Sequence, residues 1–248
     1  LPRSPRRFYV DQALSREGDL VELSSRETFH LHRVLRLKTG DACQVFNQRG
    51  RGAEALIETL SETTAGLRLK KIYPLKERKL FIKAAQALPQ KKKMDELVDR
   101  AEELSVGELW MIETERTVVK MGAEARQRAK KRWERIGVEA AKQSGSSILM
   151  KIEGPLPFEK AVLEGKAPGE PAYIFHPDPQ GLNFSQMVEE VKSGLSVFLF
   201  FGPEGGFSEK EVRWAESRGI RKVFLGESIL RLETAFLGVL GALRFLIP

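Results

Sequence analysis

The chain has 248 residues, enough for one large domain or two ordinary ones, and its 42% hydrophobic and 30% charged content is that of a globular protein. Its 41 Lys and Arg against 34 Asp and Glu leave a net charge of +7, a balance that favours a polyanionic partner. A single cysteine, Cys43, excludes an intrachain disulfide and fits a cytosolic setting; with only three histidines (His30, His32, His176) it offers no zinc-ligand spacing, and no apolar stretch reaches the roughly 18 residues of a membrane span.

The first seventy residues read as short strands. "RRFYV" is an apolar-aromatic run, and "HLHRVLRLKTGD" is a short helical or extended piece closed by a Gly40-Asp41 turn. "ACQVFN", a turn in "QRGRG", and "AEALIE" follow. "LRLKKI" then alternates Leu67 and Leu69 with Arg68 and Lys70, the period of a half-buried strand. Short strands at close spacing predict a compact β-barrel. Within this segment Arg6, Arg7, His32, Arg33 and Arg36 are basic, and Arg33 and Arg36 share a face if their turn is helical.

Pro74 to Arg78 reads as a linker, which sets domains at 1–73 and 74–248. Beyond it the rhythm changes. Buried strands are predicted at Leu80 to Leu88, Leu109 to Ile112, Ala172 to Phe175, Val197 to Phe201 and Val223 to Leu225. Helices are predicted at Lys91 to Ser105, Ala123 to Ser144, Phe184 to Lys192, Ser208 to Ser217 and Leu232 to Phe245. Alternating strands and helices predict an α/β domain, a parallel sheet with helices on both faces. On the Ala123 to Ser144 helix, Ala129, Trp133, Ile136 and Ala140 form an apolar stripe, with Arg128, Lys131, Arg135 and Lys142 opposite. Such a basic face is either solvated surface or a track for phosphates. Lys91, Lys92 and Lys93 open a helix, where positive charge opposes the helix dipole, a placement that suits a phosphate contact.

Chemistry concentrates late in the chain. "FLFFGPEGGFSEKEV" runs from an apolar strand into a glycine turn. It has neither the lysine and hydroxyl of a phosphate-gripping loop nor a G-x-G-x-x-G dinucleotide pattern. Ser208 and Glu211 form a capping box, so a helix starts at the loop's far end. The loop therefore lies at the carboxyl end of a strand, where open α/β sheets bind ligands; a tight strand-to-helix connection without a ligand is the other reading. "FLGESILRLETA" follows the next strand in the same manner, and the two loops are expected side by side. His176-Pro177 ends another strand near that edge, and a structural role for His176 stands beside a catalytic one.

"FGPEGGFSEKEV" with "LGESILRLETA" resembles the RsmE family, bacterial methyltransferases that modify uridine at N3 in 16S ribosomal RNA. The resemblance extends through "RFYV", "HRVLRLKTGD", "KKKMDELVDRAEELSVGEL" and "ERTVVK". It implies a PUA-like RNA-binding β-barrel followed by a SPOUT domain that ends in a trefoil knot and works as a homodimer. It also implies S-adenosylmethionine as cofactor and 16S rRNA, within the small ribosomal subunit, as partner. Carried over by position, the cofactor residues are Leu199, Phe200, Gly202, Glu204, Gly205, Gly206, Leu225, Gly226, Ile229, Leu230, Arg231 and Thr234. Arg231 is the candidate for stabilising a uridine anion, and Glu233 or Glu204 for taking its proton. RNA-contact candidates are Arg7, His32, Arg33, Arg36, Arg128, Lys131, Arg135, Gln143 and Ser144. The chain departs from the family pattern at Lys142, Ser146 and Ser228, where an acid, an arginine and an arginine are usual. Those departures leave open an assembly factor without catalysis, and pattern leaves open methylation of another RNA.

Overall fold

The computed structural model describes residues 6–75, 79–90, 93–146 and 149–247. Two compact units divide the chain: one holds Leu1–Glu77 with Val138–Leu149, the other Arg78–Gly137 with Met150–Pro248. The N-terminal unit thus takes in a segment far along the chain that no local pattern marks as belonging to it.

In the N-terminal unit, β1 (Arg7–Tyr9), β2 (Leu20–Glu22), β3 (Ala42–Phe46), β4 (Arg51–Leu60) and β5 (Ala65–Pro74) form one sheet in the order β1-β3-β4-β5-β2. Only β1 and β3 run parallel. Two strands are longer than expected. "AEALIE" and "LRLKKI" are the middles of ten-residue strands, joined by a turn in which the Ser61 hydroxyl lies 2.8 Å from that of Thr64. The alternation read in β5 is observed, with Leu67 and Leu69 buried. A side chain ties the segment after β1 to edge strand β2: the Gln12 amide both donates to and accepts from the main chain of Glu22, each at 3.0 Å. Phe8, Val45, Ile57 and Leu67 are among the residues that fill this unit's core.

"HLHRV" is helical: α1 (Ser25–Phe29) runs directly into a π-helical turn at His30–Val34. Cys43 is buried, which pushes its thiol up to about 12, far from the range of a reactive thiolate.

In the second unit seven strands form an all-parallel sheet: β6 (Phe81–Ala87), β7 (Glu108–Glu113), β8 (Lys151–Pro157), β9 (Ala172–Phe175), β10 (Leu182–Asn183), β11 (Ser196–Phe201) and β12 (Arg221–Phe224). Their order is β10-β12-β9-β11-β6-β7-β8. β11 lies between β6 and β9, both earlier in the chain, so the chain returns to the middle of the sheet rather than extending its edge. All five predicted strands are present; β8 and β10 were not foreseen.

The helices are α2 (Lys93–Glu103), α3 (Ala123–Ser144), α4 (Phe158–Gly165), α5 (Phe184–Lys192), α6 (Glu209–Glu216) and α7 (Leu232–Leu246). Side-chain alternation along each strand sends two cores to opposite faces. Ile82, Leu109, Tyr173, Leu199 and Phe201 meet α2, α5 and α7 on one face. Trp110, Ile174, Phe198 and Phe200 meet α4 and α6 on the other. Among the described residues, no helix is long and apolar enough to cross a membrane, and no cluster of His, Cys, Asp and Glu could hold a metal ion.

Candidate functional site

The carboxyl ends of β11 and β12 carry the two glycine-containing loops, 202–207 and 225–231, and the ends of β9 and β6 lie beside them in the sheet. The two loops are not immediate neighbours. β9 pairs with both β11 and β12, so its end separates them, and His176 stands in that gap with its amide donating to Val223 O at 3.2 Å. The His176 ring is largely buried. Its Nε2 lies 3.6 Å from a Glu209 carboxylate oxygen, and its Nδ1 has no partner among the described residues.

The first loop, 202–207, is a tight turn closed by the Gly206 amide donating to Pro203 O at 2.8 Å. Gly206 has φ +68, a left-handed value that favours glycine. At Gly202 a Cβ would come 3.2 Å from the Gly206 main chain, so the loop's two ends meet in a space that glycine keeps open. The predicted capping box is present: Ser208 Oγ accepts from the Glu211 amide, and the Ser208 amide donates to Glu211 Oε2 at 2.8 Å. Glu204 is tied as well, its Oε1 accepting from the Gln90 amide at 2.9 Å.

Side chains from neighbouring strand ends hold this loop. Fully buried Gln86, at the end of β6, donates from Nε2 to Gly202 O at 3.2 Å, and its buried Oε1 has no partner among the described residues. Arg116, in the segment after β7, donates from Nη1 to Gly205 O at 2.8 Å and Phe207 O at 3.3 Å. Sequence reading did not assign a role to either; "ERTVVK", which contains Arg116, was the available signal.

The second loop, 225–231, has the opposite character. Gly226 takes φ +114, Ile229 is 93% exposed and Leu230 is 40% exposed. The amides of Gly226, Glu227, Ile229 and Leu230 make no hydrogen bond among the described residues. Unpaired amides beside exposed aliphatic side chains are the donors and walls that a flat, uncharged heterocycle needs. No lysine belongs to either loop. This donor set fits a nucleoside and does not fit a triphosphate.

Arg231 caps α7 with main chain only and makes no ion pair among the described residues. Glu233 is ion-paired with Lys93, whose hydrogen bond holds the carboxyl below the usual range. That is the wrong direction for a group asked to take a proton from a weak acid. Thr234 is exposed on the first turn of α7. Leu199 and Phe200 are fully buried, Phe200 against Phe158 and Phe198, so their side chains support the strand end from within. Gly205 and Leu225 lie in the two loops as expected.

The basic candidates divide. Arg7 is not a surface residue: it is buried, its guanidinium donates to Ala141 O at 3.2 Å and Ser146 O at 2.7 Å, and it stacks 4.0 Å from the Phe46 ring centre. It ties β1 to the segment after α3 within the N-terminal unit and is withdrawn as an RNA contact. Ser146, at the position where arginine is usual, is the recipient of that bond. Lys142 is likewise buried. Its Nζ lies 3.0 Å from both Glu27 and Glu139 and 3.1 Å from His30 Nδ1. The last turn of α3 packs against α1, and this ion pair replaces the solvated face expected there.

Arg33 and Arg36 do not share a helical face. The helix changes to π geometry at His30, and Arg36 lies beyond its end with φ +55. Both are exposed, Arg33 paired with Glu62 at 2.6 Å. His32 is half-buried with Nδ1 unpartnered among the described residues. On α3, Trp133 and Ala140 are buried as the stripe requires, while Arg128, Lys131 and Arg135 are exposed. Gln143 and Ser144 are exposed at the end of α3. Lys93 is committed to Glu233; Lys91 and Lys92 lie outside the described residues.

Comparison with known proteins finds two family matches along the chain. Residues 76–244 match the family described as RNA methyltransferase domain, and residues 23–69 match the RNA methyltransferase PUA domain. Ribosomal RNA small subunit methyltransferase E of Synechocystis is 31% identical over 215 residues, covering 87% of this chain and 69% of that protein. Its counterpart in Bacillus subtilis is 27% identical, covering 92% and 91%. Among solved structures, a Legionella pneumophila methyltransferase in complex with its cofactor S-adenosylmethionine has a TM-score of 0.87 at 28% identity, covering 98% of each chain. The methyltransferase E of Neisseria gonorrhoeae bound to S-adenosylmethionine has a TM-score of 0.87 at 25% identity, with the same coverage.

Proposed function

The chain belongs to the ribosomal RNA small subunit methyltransferase E family, and from that premise we propose that it transfers the methyl group of S-adenosylmethionine to N3 of a uridine in 16S rRNA. The observation that carries this reading is the second loop, with its unpaired amides, its exposed Ile229 and Leu230, and no lysine. Gly202, Glu204, Gly205, Gly206, Leu225, Gly226, Ile229, Leu230 and Thr234 would hold the cofactor, the amides meeting the adenine edge and the aliphatic side chains its faces.

When bound, S-adenosylmethionine supplies a methyl group already activated by its sulfonium. The protein's task is then alignment, which can contribute about 7–11 kcal/mol of barrier reduction. Uridine N3 is a poor nucleophile while protonated, so its proton would have to pass to solvent, giving the N3 anion, before N3 takes the methyl group and the methyl–sulfur bond breaks. Arg231, exposed and free of an ion pair among the described residues, is the group that stabilises the resulting anion. Glu233 keeps its charge through Lys93 and serves to fix the start of α7 beside that arginine. No named side chain is assigned as the base.

RNA contact falls to exposed Arg33, Arg36, Arg128, Lys131 and Arg135, with His32, Gln143 and Ser144 beside them in sequence. A homodimer and a knotted return of the chain at β11 belong to the same reading. Apolar Phe245 and Leu246, exposed at the end of α7, support the dimer, which sedimentation tests directly. The function itself is tested by mass mapping of small-subunit RNA from a strain lacking the gene, with and without its restoration. One uridine should regain a methyl group, and its nucleoside should co-elute with 3-methyluridine. Full methylation without the gene would sink the activity; a methyl at another ring position would sink the N3 assignment.

A further inference from the structure

The segment 115–120, between β7 and α3, is where the chain grips the first glycine loop from outside. Arg116 bonds two carbonyls of that loop, Gly205 at 2.8 Å and Phe207 at 3.3 Å. Its stem also packs there: Cβ and Cδ lie 3.6 Å from where a side chain on Gly205 would begin. Glu115 adds two bonds beside it, its amide donating to Glu211 Oε1 at 2.8 Å and its carboxylate accepting from Ser208 Oγ at 2.7 Å. Gln86 takes the Gly202 carbonyl from β6. Three carbonyls of the 202–207 loop are thus held by side chains of other elements, while the amides of Glu204 and Gly205 make no hydrogen bond among the described residues.

We infer that Arg116 is a positioning residue for the transfer reaction: it fixes the loop with its carbonyls turned inward to protein and its amides left available to the cofactor. This rests on the reading that the loop holds S-adenosylmethionine. Three glycines in five residues leave such a loop with a large conformational freedom, and main-chain turns alone supply one bond against it. Arg116 reaches both carbonyls from a single guanidinium nitrogen, Nη1. Arg116 is exposed, with Nη1 engaged by the loop, so its action on the cofactor through the loop is distinguished from RNA contact by experiment.

The test compares Arg116→Met, which keeps the stem and removes every donor, with Arg116→Lys, which keeps one charged donor. Calorimetry gives the affinity for S-adenosylmethionine, and steady-state methylation of small-subunit RNA gives both Michaelis constants. Arg116→Met should weaken cofactor affinity about ten- to a hundredfold, the loss of one or two charge-assisted hydrogen bonds. Its KM for RNA should stay within about twofold, and Arg116→Lys should recover part of the cofactor affinity. Unchanged cofactor affinity in Arg116→Met beside a wild-type chain that binds would overturn this inference alone. So would a raised KM for RNA at normal cofactor affinity, which would make Arg116 a phosphate contact. A wild-type chain with no affinity for S-adenosylmethionine would defeat the underlying reading and this inference with it.

Discussion

Replacing Lys142 by alanine probes the least expected interaction in the molecule. The Lys142 and Glu27 side chains are each only 6% exposed and their charged atoms are 3.0 Å apart, with Glu139 at the same distance from the ammonium. At that separation, with an effective dielectric constant of 20, each attraction is about 5 kcal/mol before desolvation is subtracted. Desolvation of two ions removes most of this, so the intact pair adds little to stability. Removing one member is a different matter. Glu27 would remain buried with one oxygen already lacking a partner among the described residues and the other newly deprived of its cation. Loss of one partner from such a buried pair costs about 3–5 kcal/mol. For a chain of this size that corresponds to a fall in Tm of roughly 6–20 °C. Calorimetric scans of wild type, Lys142→Ala and the double variant Lys142→Met with Glu27→Leu separate the possibilities. The double variant should recover most of the loss, because two apolar groups need no compensation. A loss below about 1 kcal/mol in Lys142→Ala would show that water reaches the site and that the ion pair is not a buried one.

Three further substitutions address the site and the RNA surface. Glu233→Gln should leave kcat within about tenfold of wild type and the pH profile unshifted, because the hydrogen bond from Lys93 makes that carboxylate a weaker base; a hundredfold loss with disappearance of an acidic limb would restore Glu233 as the base. Gly226→Ala places a side chain at φ +114 in otherwise open space, so only backbone strain acts. Strain of about 1–3 kcal/mol should weaken cofactor binding by roughly five- to 150-fold, while Gly205→Ala, whose added carbon makes ordinary contact with Arg116, should bind nearly as wild type, and equal effects at the two positions would contradict this account. Lys131→Ala should lower the salt dependence of RNA binding by about one unit of log–log slope, whereas Arg7→Ala should lower Tm and leave that slope unchanged; a slope change in the Arg7 variant would return it to the RNA surface.

The parallel sheet was legible because buried strands are continuous apolar runs. β6, β7, β9, β11 and β12 were recognised from five such runs, and α3 and α5 have the boundaries read from their periodicity. β8 escaped because "KIEGPLP" interrupts its apolar residues with glycine and two prolines, and α4 because it follows directly on Pro157. The glycine loops announced themselves through composition. Gly206 and Gly226 have the positive φ that makes glycine informative.

Arg116 was invisible to the same method for a physical reason. Its partners are carbonyls 89 and 91 residues away, and a carbonyl carries no side-chain identity for a pattern to detect. Arg7 and Lys142 failed in a related way. A lone basic residue reads as solvated because burial of a charge is costly, and the expectation is overturned only when distant groups complete its bonding. Here Ala141 O, Ser146 O and Phe46 satisfy Arg7, and Glu27 and Glu139 satisfy Lys142. Basic residues in this chain therefore fall into two populations that net charge cannot separate. Arg128, Lys131, Arg135, Arg33 and Arg36 are exposed to water, Arg33 and Arg128 in solvent-facing pairs with Glu62 and Glu124 that a polyanion can displace. Arg7, Lys142 and Arg116 spend their charge on main-chain and carboxylate oxygens. Of these eight, the first group carries the electrostatic case for an RNA partner, and one member of the second the order of the cofactor loop.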